Sequence, residues 1–516
     1  MTCATGAQKS ARPTDNDYRQ CSFWLETAEE ELVPRPSLGG PAEADVAILG
    51  AGFTGLWTAY YLLRREPSLR VVVLEAEIAG FGASGRNGAW CNSAFPVSPG
   101  ELARRFGREA ARELLLEMRG AVEEVGRVAR VEGIDAQYFP GGQLRVARGP
   151  AQVPGIKDAY ESARALGLEE DLRLLDAEET ARRVRITGAG GALYNPHCAT
   201  IHPARLTRGL ARAVERLGGE IFEQTPVTDY EAGKGTGGGP RLVTRAGEVR
   251  ARTVVLAGEA YLARLRKLRR QVLPIYSLIV LTEPLSEARW AEIGWEGREC
   301  VASNRYTVDY LSRTADGRIL FGGRGAPYHY GSRIEDEYDR HDPTHEMLRQ
   351  TARDWFRTLK GVRFTHAWGG PLAMPRDWMP TMSHDPASGV ATARGYTGQG
   401  VTTANLSGRT LADLILCRDT AITRLPTVNH EPRPWEPEPL RWLGARYVQR
   451  GLMRVDDRAE RTGKPPTGKT LAERLARHRR PAARRYGLGA GGNEVRKGEL
   501  SRRSPEVERG DPSAWG

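Results

Sequence analysis

Gly50, Gly52 and Gly55 stand in the run Gly50-Ala51-Gly52-Phe53-Thr54-Gly55, between an apolar segment (Val46 to Leu49) and a helical pattern. A second apolar segment follows and closes on Glu75, twenty residues past Gly55. This spacing suits dinucleotide binding. Gly50 permits a sharp turn, Gly52 keeps side-chain atoms away from a pyrophosphate, and Gly55 lets the helix pack close to the strand. The helix start at Phe53 and Thr54 turns unpaired N–H groups and a positive dipole end toward the phosphates. Glu75, followed by Ala76, falls where a carboxylate accepts hydrogen bonds from a ribose hydroxyl pair. An ordinary glycine-rich turn in a parallel α/β unit is the bland alternative, and it would not require Glu75.

These residues need a strand–turn–helix–strand unit from Asp45 to Glu75, and the rest of the chain supplies its surroundings. A glycine-rich loop follows at Gly80 to Gly88. Leu114, Met118, Val122, Val125 and Val128 recur at helical spacing. Strands are expected at Gln143–Ala147 and Gly191–Tyr194, with a helix over Ala151–Leu166 between them. His197 and His202 flank a helix start and read as caps or structural histidines. Arg252 to Gly258 reads as a buried strand meeting a glycine. From Val272 to Gly323 the pattern is mainly strands, with Asp316-Gly317 as a hairpin turn. Gly395 to Val401 feeds a helix that runs through Leu416.

The expected fold class is therefore α/β with a mixed α+β part: a discontinuous Rossmann-like nucleotide-binding domain holding an inserted mixed β-sheet. The nucleotide domain takes 41–100, 200–265 and 370–420, and the inserted domain takes 101–199 and 266–369. Residues 1–40 form an extended arm that docks through Ser22-Phe23-Trp24-Leu25. Residues 421–485 form a C-terminal extension, and 486–516 read as a disordered tail.

The chain has 516 residues and a formal net charge of +11. Its length allows a large core and about three domain-sized units. No stretch approaches the ~18 apolar residues that span a bilayer, and the N-terminus lacks the basic-then-apolar order of a signal peptide. A cytoplasmic location is expected. Six cysteines are scattered without a CxxC pair, which fits neither a disulfide framework nor a zinc site. The dense basic segment Lys469 to Arg485 reads as a solvated tail, so nucleic acid is not expected as a partner.

Four separated patches together resemble the D-amino-acid oxidase / glycine oxidase superfamily of FAD-dependent oxidoreductases. They are GAGFTGLWTAYYLL, GFGASGRNGAWCNS, ARTVVLAGEAYL and ARGYTGQGVTTANLSGRTLADLI. ASGRNG, the Leu281–Leu285 segment and DGRILFGGRG are similar to the gamma-glutamylputrescine oxidase-like branch. The resemblance implies FAD as cofactor. It implies that Ser84, Arg86, Asn87 and Gly88 line the path from pyrophosphate to flavin. Val227 would meet the adenine and Gly258 would admit a neighbouring strand. Gly398, Gln399, Gly400 and Val401 would place a second helix start at the electron-rich edge of the flavin. Some relatives attach the flavin through a cysteine or an early histidine. Here no cysteine lies between Cys300 and Cys417 and the first histidine is His197, so non-covalent FAD is expected.

The same resemblance implies oxidation of a small amine or amino acid, with hydride leaving the C–N carbon for flavin N5 to give an imine. Substrate contacts are expected from the inserted sheet: Tyr276, Arg305, Tyr306, Tyr310, Arg324 and Trp368. An arginine there could pair with a carboxylate, and aromatics could enclose a cationic amine. Each of these residues equally suits a packed or solvated strand face. Oxygen is the expected electron acceptor. The lysine that sarcosine-oxidase relatives place near the flavin is missing from Arg318-Ile319-Leu320-Phe321, which leaves a dehydrogenase as the alternative. A nucleic-acid-associated flavoprotein using the basic tail, or a non-catalytic scaffold, are further alternatives. Oligomeric state stays open.

Overall fold

The computed structural model describes residues 13–233, 238–324 and 327–476, without the side chain of Arg324. The expected tail at 486–516 and most of the basic segment lie outside the described residues.

Apolar runs decide the first sheet. Val71–Leu74 is buried at every position, as a strand covered on both faces must be. Ala42–Leu49 pairs with it in parallel and with Glu248–Leu256 on the other side, so that Val46 faces both Val71 and Thr253. Val390–Arg394 and Glu220–Phe222 extend the parallel core. Thr381–Asp385 adds an antiparallel edge. One eight-stranded sheet thus draws on three separated stretches of chain. Helix Phe53–Arg65, buried from Phe53 to Leu63, packs against helix Gly400–Ile415. Gly408 makes that approach possible, because a Cβ there would fall 2.5 Å from the Cβ of Trp57.

The second sheet also has eight strands, ordered Phe364–Met374, Leu273–Thr282, Ile319–Arg324, Asp309–Arg313, Cys300–Ser303, Gln143–Arg148, Ala189–Asn195 and Arg173–Leu175. It is mixed because Cys300–Ser303 runs parallel to Gln143–Arg148. The period of two along each strand divides its faces. Tyr276, Leu278, Leu311 and Phe321 pack on one face with Leu348 and Trp355 of helix Asp342–Trp355. Ser277, Ile279 and Tyr310 stand on the other.

The N-terminal arm is not simply extended: it forms helices Asp15–Arg19 and Phe23–Glu26. Phe23, Trp24 and Leu25 are buried with Ile279, Leu281 and Trp368 of the second sheet, and this apolar contact orders the arm. Past residue 421 the chain builds helix Leu440–Thr462, 23 residues long, or about 35 Å at 1.5 Å per residue. It crosses one end of the second sheet. Near its start Trp442 packs with Leu273 and Met374. Further along, Asp456 accepts the amides of Tyr306 and Thr307. Among the described residues no helix is long and apolar enough to cross a membrane, and no cluster of His, Cys, Asp or Glu is placed to hold a metal ion.

Candidate active site

One cavity is lined from both sheets. At its far wall, Gly50 has φ of +101°, and a Cβ there would lie 2.9 Å from the carbonyl oxygen of Ala257. Such a backbone is strained for any residue with a side chain. A Cβ on Gly52 would lie 2.9 Å from Ser84 Oγ. Gly50, Gly52, Phe53 and Thr54 all line the cavity. Gly55 does not; its missing side chain brings the helix to the strand, where a Cβ would meet Gly50 O at 1.9 Å. The helix starting at Phe53 has no cap from its own N-cap side chain, Gly52 being glycine. Ser84 Oγ instead accepts the Phe53 amide at 2.9 Å.

Glu75 and Ala76 line the next stretch. The Glu75 carboxylate accepts the Ala51 amide at 2.8 Å and the Glu77 amide at 3.1 Å. Burial raises its pKa to about 7, the two amide bonds opposing the rise. Val227 and Gly258 lie along the same wall. In the facing loop, Asn87 Nδ2 donates to the carbonyls of Ala83 and Ser84 at 3.1 Å, so the loop holds its own shape. Arg86 is buried and ion-paired with Asp339, its Nη2 donates to Tyr261 Oη at 2.7 Å, and its guanidinium lies over the Phe81 ring. Gly88 lets Tyr310 stand against the loop, since a Cβ there would lie 2.4 Å from that ring. Gly398, Gln399, Gly400 and Val401 line the opposite end, at the uncapped start of the buried helix Gly400–Ile415.

The residues 45–414 match the family model for FAD dependent oxidoreductases. The chain is 30% identical over 416 residues to gamma-glutamylputrescine oxidoreductase of Escherichia coli (strain K12), covering 80% of this chain and 93% of that one. It belongs to the FAD-dependent oxidoreductases. Two solved structures share the fold: glycine oxidase from Geobacillus kaustophilus (TM-score 0.61, 22% identity, 75% of this chain and 99% of that chain), and L-proline dehydrogenase from P. horikoshii (TM-score 0.62, 21% identity, 75% and 96%).

The cavity of this FAD-dependent oxidoreductase fits the cofactor on structural grounds. Gly50 and Gly52 keep the turn free of side chains where a pyrophosphate would lie, and two helix starts, at Phe53 and Gly400, border the cavity with their N-terminal turns. Glu75 spends two acceptor positions on backbone amides; a carboxylate has about four, which leaves room for two ribose hydroxyls.

On the substrate side the expectations divide. Tyr310 lines the cavity, with its Oη 2.9 Å from Ser277 Oγ. Tyr276 does not: one position along the same strand, it points to the opposite face, where it is 2% exposed and donates to Glu335 O at 3.4 Å. The period of two decides this. Trp368 does not line the cavity either. It is 1% exposed beneath the N-terminal arm, and its Nε1 donates to Arg86 O at 2.9 Å. Arg305 and Tyr306 turn away to the C-terminal helices. Arg305 reaches Glu460 at 3.1 Å, and Tyr306 Oη donates to Glu473 Oε1 at 3.1 Å. Arg324 ends its strand opposite Ser277, its side chain lying outside the described residues.

Three contributors escaped the sequence reading. Glu259, directly after Gly258, accepts the amides of Gly395 and Tyr396 at 2.8 and 3.1 Å; burial raises its pKa to about 7. Asp339 partners Arg86 from 253 residues away. Trp90 lines the cavity and donates from Nε1 to Ser312 Oγ at 2.8 Å. Only the position of Glu259 beside a motif glycine offered a signal. His202 does cap its helix, accepting the Arg205 amide at 3.3 Å, and burial lowers its pKa to about 3.

Proposed function

We propose that this FAD-dependent oxidoreductase oxidises the C–N bond of a small amine or amino acid and passes the electrons to oxygen, forming hydrogen peroxide. The observation that carries this reading is one cavity with a glycine-built nucleotide cradle on one side and the uncharged wall Ser277, Ile279, Tyr310 and Leu372 on the other. Such a wall favours a neutral amine, the form that can give up a hydrogen with its electron pair. The names of the Escherichia coli relative and the glycine oxidase neighbour support an amine substrate.

FAD, when bound, supplies the two-electron acceptor. In the balanced reaction the amine loses one C–H and one N–H hydrogen with two electrons and becomes an imine. Oxygen takes those two electrons and two protons and becomes hydrogen peroxide. Water then adds to the imine and releases a carbonyl compound and the nitrogen fragment. The protein's part is placement. The side-chain-free turn at Gly50 and Gly52 and the N-terminal turn of the helix that begins at Phe53 would hold the pyrophosphate, Ser84, Arg86, Asn87 and Gly88 would line the path to the flavin, and Glu75 would accept the ribose hydroxyls. Glu259 fixes the loop before Gly398, and the helix start at Gly400 would face the edge of the flavin ring. Tyr310, held by Ser277, forms the wall against which the amine packs, and FAD is held without a covalent bond.

A dehydrogenase is the second reading. It is favoured by the absence of lysine from Ile319–Arg324. Anaerobic mixing with a panel of amines and amino acids tests the first step: an active amine should bleach the visible flavin band. Admitting oxygen should restore the band and yield one peroxide per amine. A band that never bleaches sinks the amine reading; bleaching with slow, peroxide-free recovery selects the dehydrogenase.

A further inference from the structure

Helix Leu440–Thr462 lies beyond the family match at 45–414 and carries one exposed stripe along its length. Leu440, Leu443 and Tyr447 are followed, at steps of three or four residues, by Arg450, Arg454, Arg458 and Arg461, and all are exposed. At 3.6 residues per turn they share an arc of about 80°. Single exposed apolar side chains are ordinary on a protein surface, but several in line form a patch. Here Leu440 is 62% exposed, Leu443 52% and Tyr447 49%.

The helix segregates its charges. Its acids turn toward the second sheet, where Asp456, Asp457 and Glu460 meet Arg305 at 3.7, 3.7 and 3.1 Å. Arg441 is taken by Glu438, and Arg446 lies over the Trp442 ring. The guanidinium groups of Arg450, Arg454, Arg458 and Arg461 make no hydrogen bond or ion pair among the described residues. The stripe therefore has an apolar end and a cationic end. The basic segment Lys469 to Arg485 follows it in the sequence with the same sign. A second copy of the chain suits such a stripe badly, because a two-fold axis sets one patch against itself. Parallel helices would oppose arginine to arginine, and antiparallel helices would oppose arginine to leucine. A nucleic acid would leave the apolar end unused.

We propose that this stripe docks the enzyme on the surface of an anionic lipid bilayer. Leu440, Leu443 and Tyr447 enter the boundary between headgroups and acyl chains, as the apolar side of an interfacial helix does. Arg450, Arg454, Arg458 and Arg461 lie against lipid phosphates, and each strengthens binding roughly fivefold. A bilayer offers both chemistries over the whole length of the helix. The docking does not depend on the amine reading above.

The test uses the flavin-loaded full chain, sedimented with vesicles of equal parts phosphatidylglycerol and phosphatidylcholine. The wild type should pellet with these vesicles, stay in solution with pure phosphatidylcholine, and come off as salt is raised. The double variant Arg454→Gln, Arg458→Gln should bind about tenfold more weakly or worse, and Arg454→Lys, Arg458→Lys should keep most of the binding. Leu443→Ser, Tyr447→Ser should bind several-fold more weakly. All three should retain wild-type flavin content and melting temperature, measured on the same samples, since the changed side chains are exposed. A wild type that ignores the anionic vesicles would overturn the assignment. Equal binding by the glutamine variant would move the contact to the basic segment, and equal binding by the serine variant would reduce it to charge adsorption; either result also overturns it. A dimer in solution that Leu443→Ser, Tyr447→Ser dissociates would give the stripe to a second copy instead.

Discussion

Asp456 takes both the backbone amide and the hydroxyl of Thr307, at 2.8 and 2.6 Å. The next residue, Val308, lines the cavity. A helix beyond the family match at 45–414 therefore sets the rim of the site. Asp456→Ala removes the acceptor of the Tyr306 and Thr307 amides, which are only partly shielded from water. Each lost bond costs about 1 kcal/mol, so the variant should melt lower. It should also raise KM several-fold at unchanged flavin content. Deleting residues after Arg450 removes the same clamp and should impair turnover, in contrast to loss of a solvated tail. Calorimetry and steady-state kinetics with the best amine check both; unchanged KM in Asp456→Ala would separate the helix from the site.

Gly52→Val should yield protein lacking visible flavin absorbance. The added carbon atoms meet Ser84 Oγ and occupy the pyrophosphate cradle. Wild-type flavin, by contrast, should leave with the supernatant when the protein is precipitated by acid. A fully yellow Gly52→Val variant would contradict the placement, and flavin retained on the precipitate would contradict non-covalent binding.

Glu75 and Glu259 both have pKa values raised by burial to about 7, against about 4.5 when unfolded. Below pH 4.5 both states are protonated and nothing is lost. Between 4.5 and 7 the unfolded chain releases protons that the folded chain retains, so stability of the flavin-free protein falls as pH rises. The loss is at most about 3 kcal/mol per group and levels off above 7. Glu75→Gln should flatten part of this slope in urea titrations. FAD affinity should rise with pH through 7 in the wild type, because hydroxyl donors favour the ionised carboxylate, and should lose that dependence in Glu75→Gln.

Tyr276→Phe and Tyr310→Phe should behave differently although both tyrosines sit on neighbouring parts of one sheet. Tyr276 loses a long bond to Glu335 O on the face away from the cavity, at a cost of under about 1 kcal/mol, with kinetics unchanged. Tyr310 loses its tie to Ser277 inside the cavity, so kcat/KM should drop several-fold at equal flavin content. Equal kinetic effects in the two variants would show that the two faces have been assigned wrongly.

Local physics made the nucleotide cradle legible in the sequence. A turn with φ of +101° at Gly50 needs glycine, a close helix–strand approach needs it at Gly55, and the carboxylate of Glu75 must follow one helix later. Such requirements are met by neighbours in the chain, so residue types and spacing record them. The second glycine-rich helix start at Gly398–Val401 was readable for the same reason.

Tertiary structure decided the substrate side. Tyr276 and Ser277 differ by one position, and only the pairing with Phe364–Met374 and Ile319–Arg324 says which faces the cavity. Arg305 and Tyr306 look like site residues until helices Leu440–Thr462 and Leu471–Ala476 supply Asp456 and Glu473 as partners from about 150 residues or more away. Arg86 carries no mark of Asp339, which stands 253 residues further along the chain. Those relations are set by strand register and by long-range contacts, which a linear sequence does not spell out.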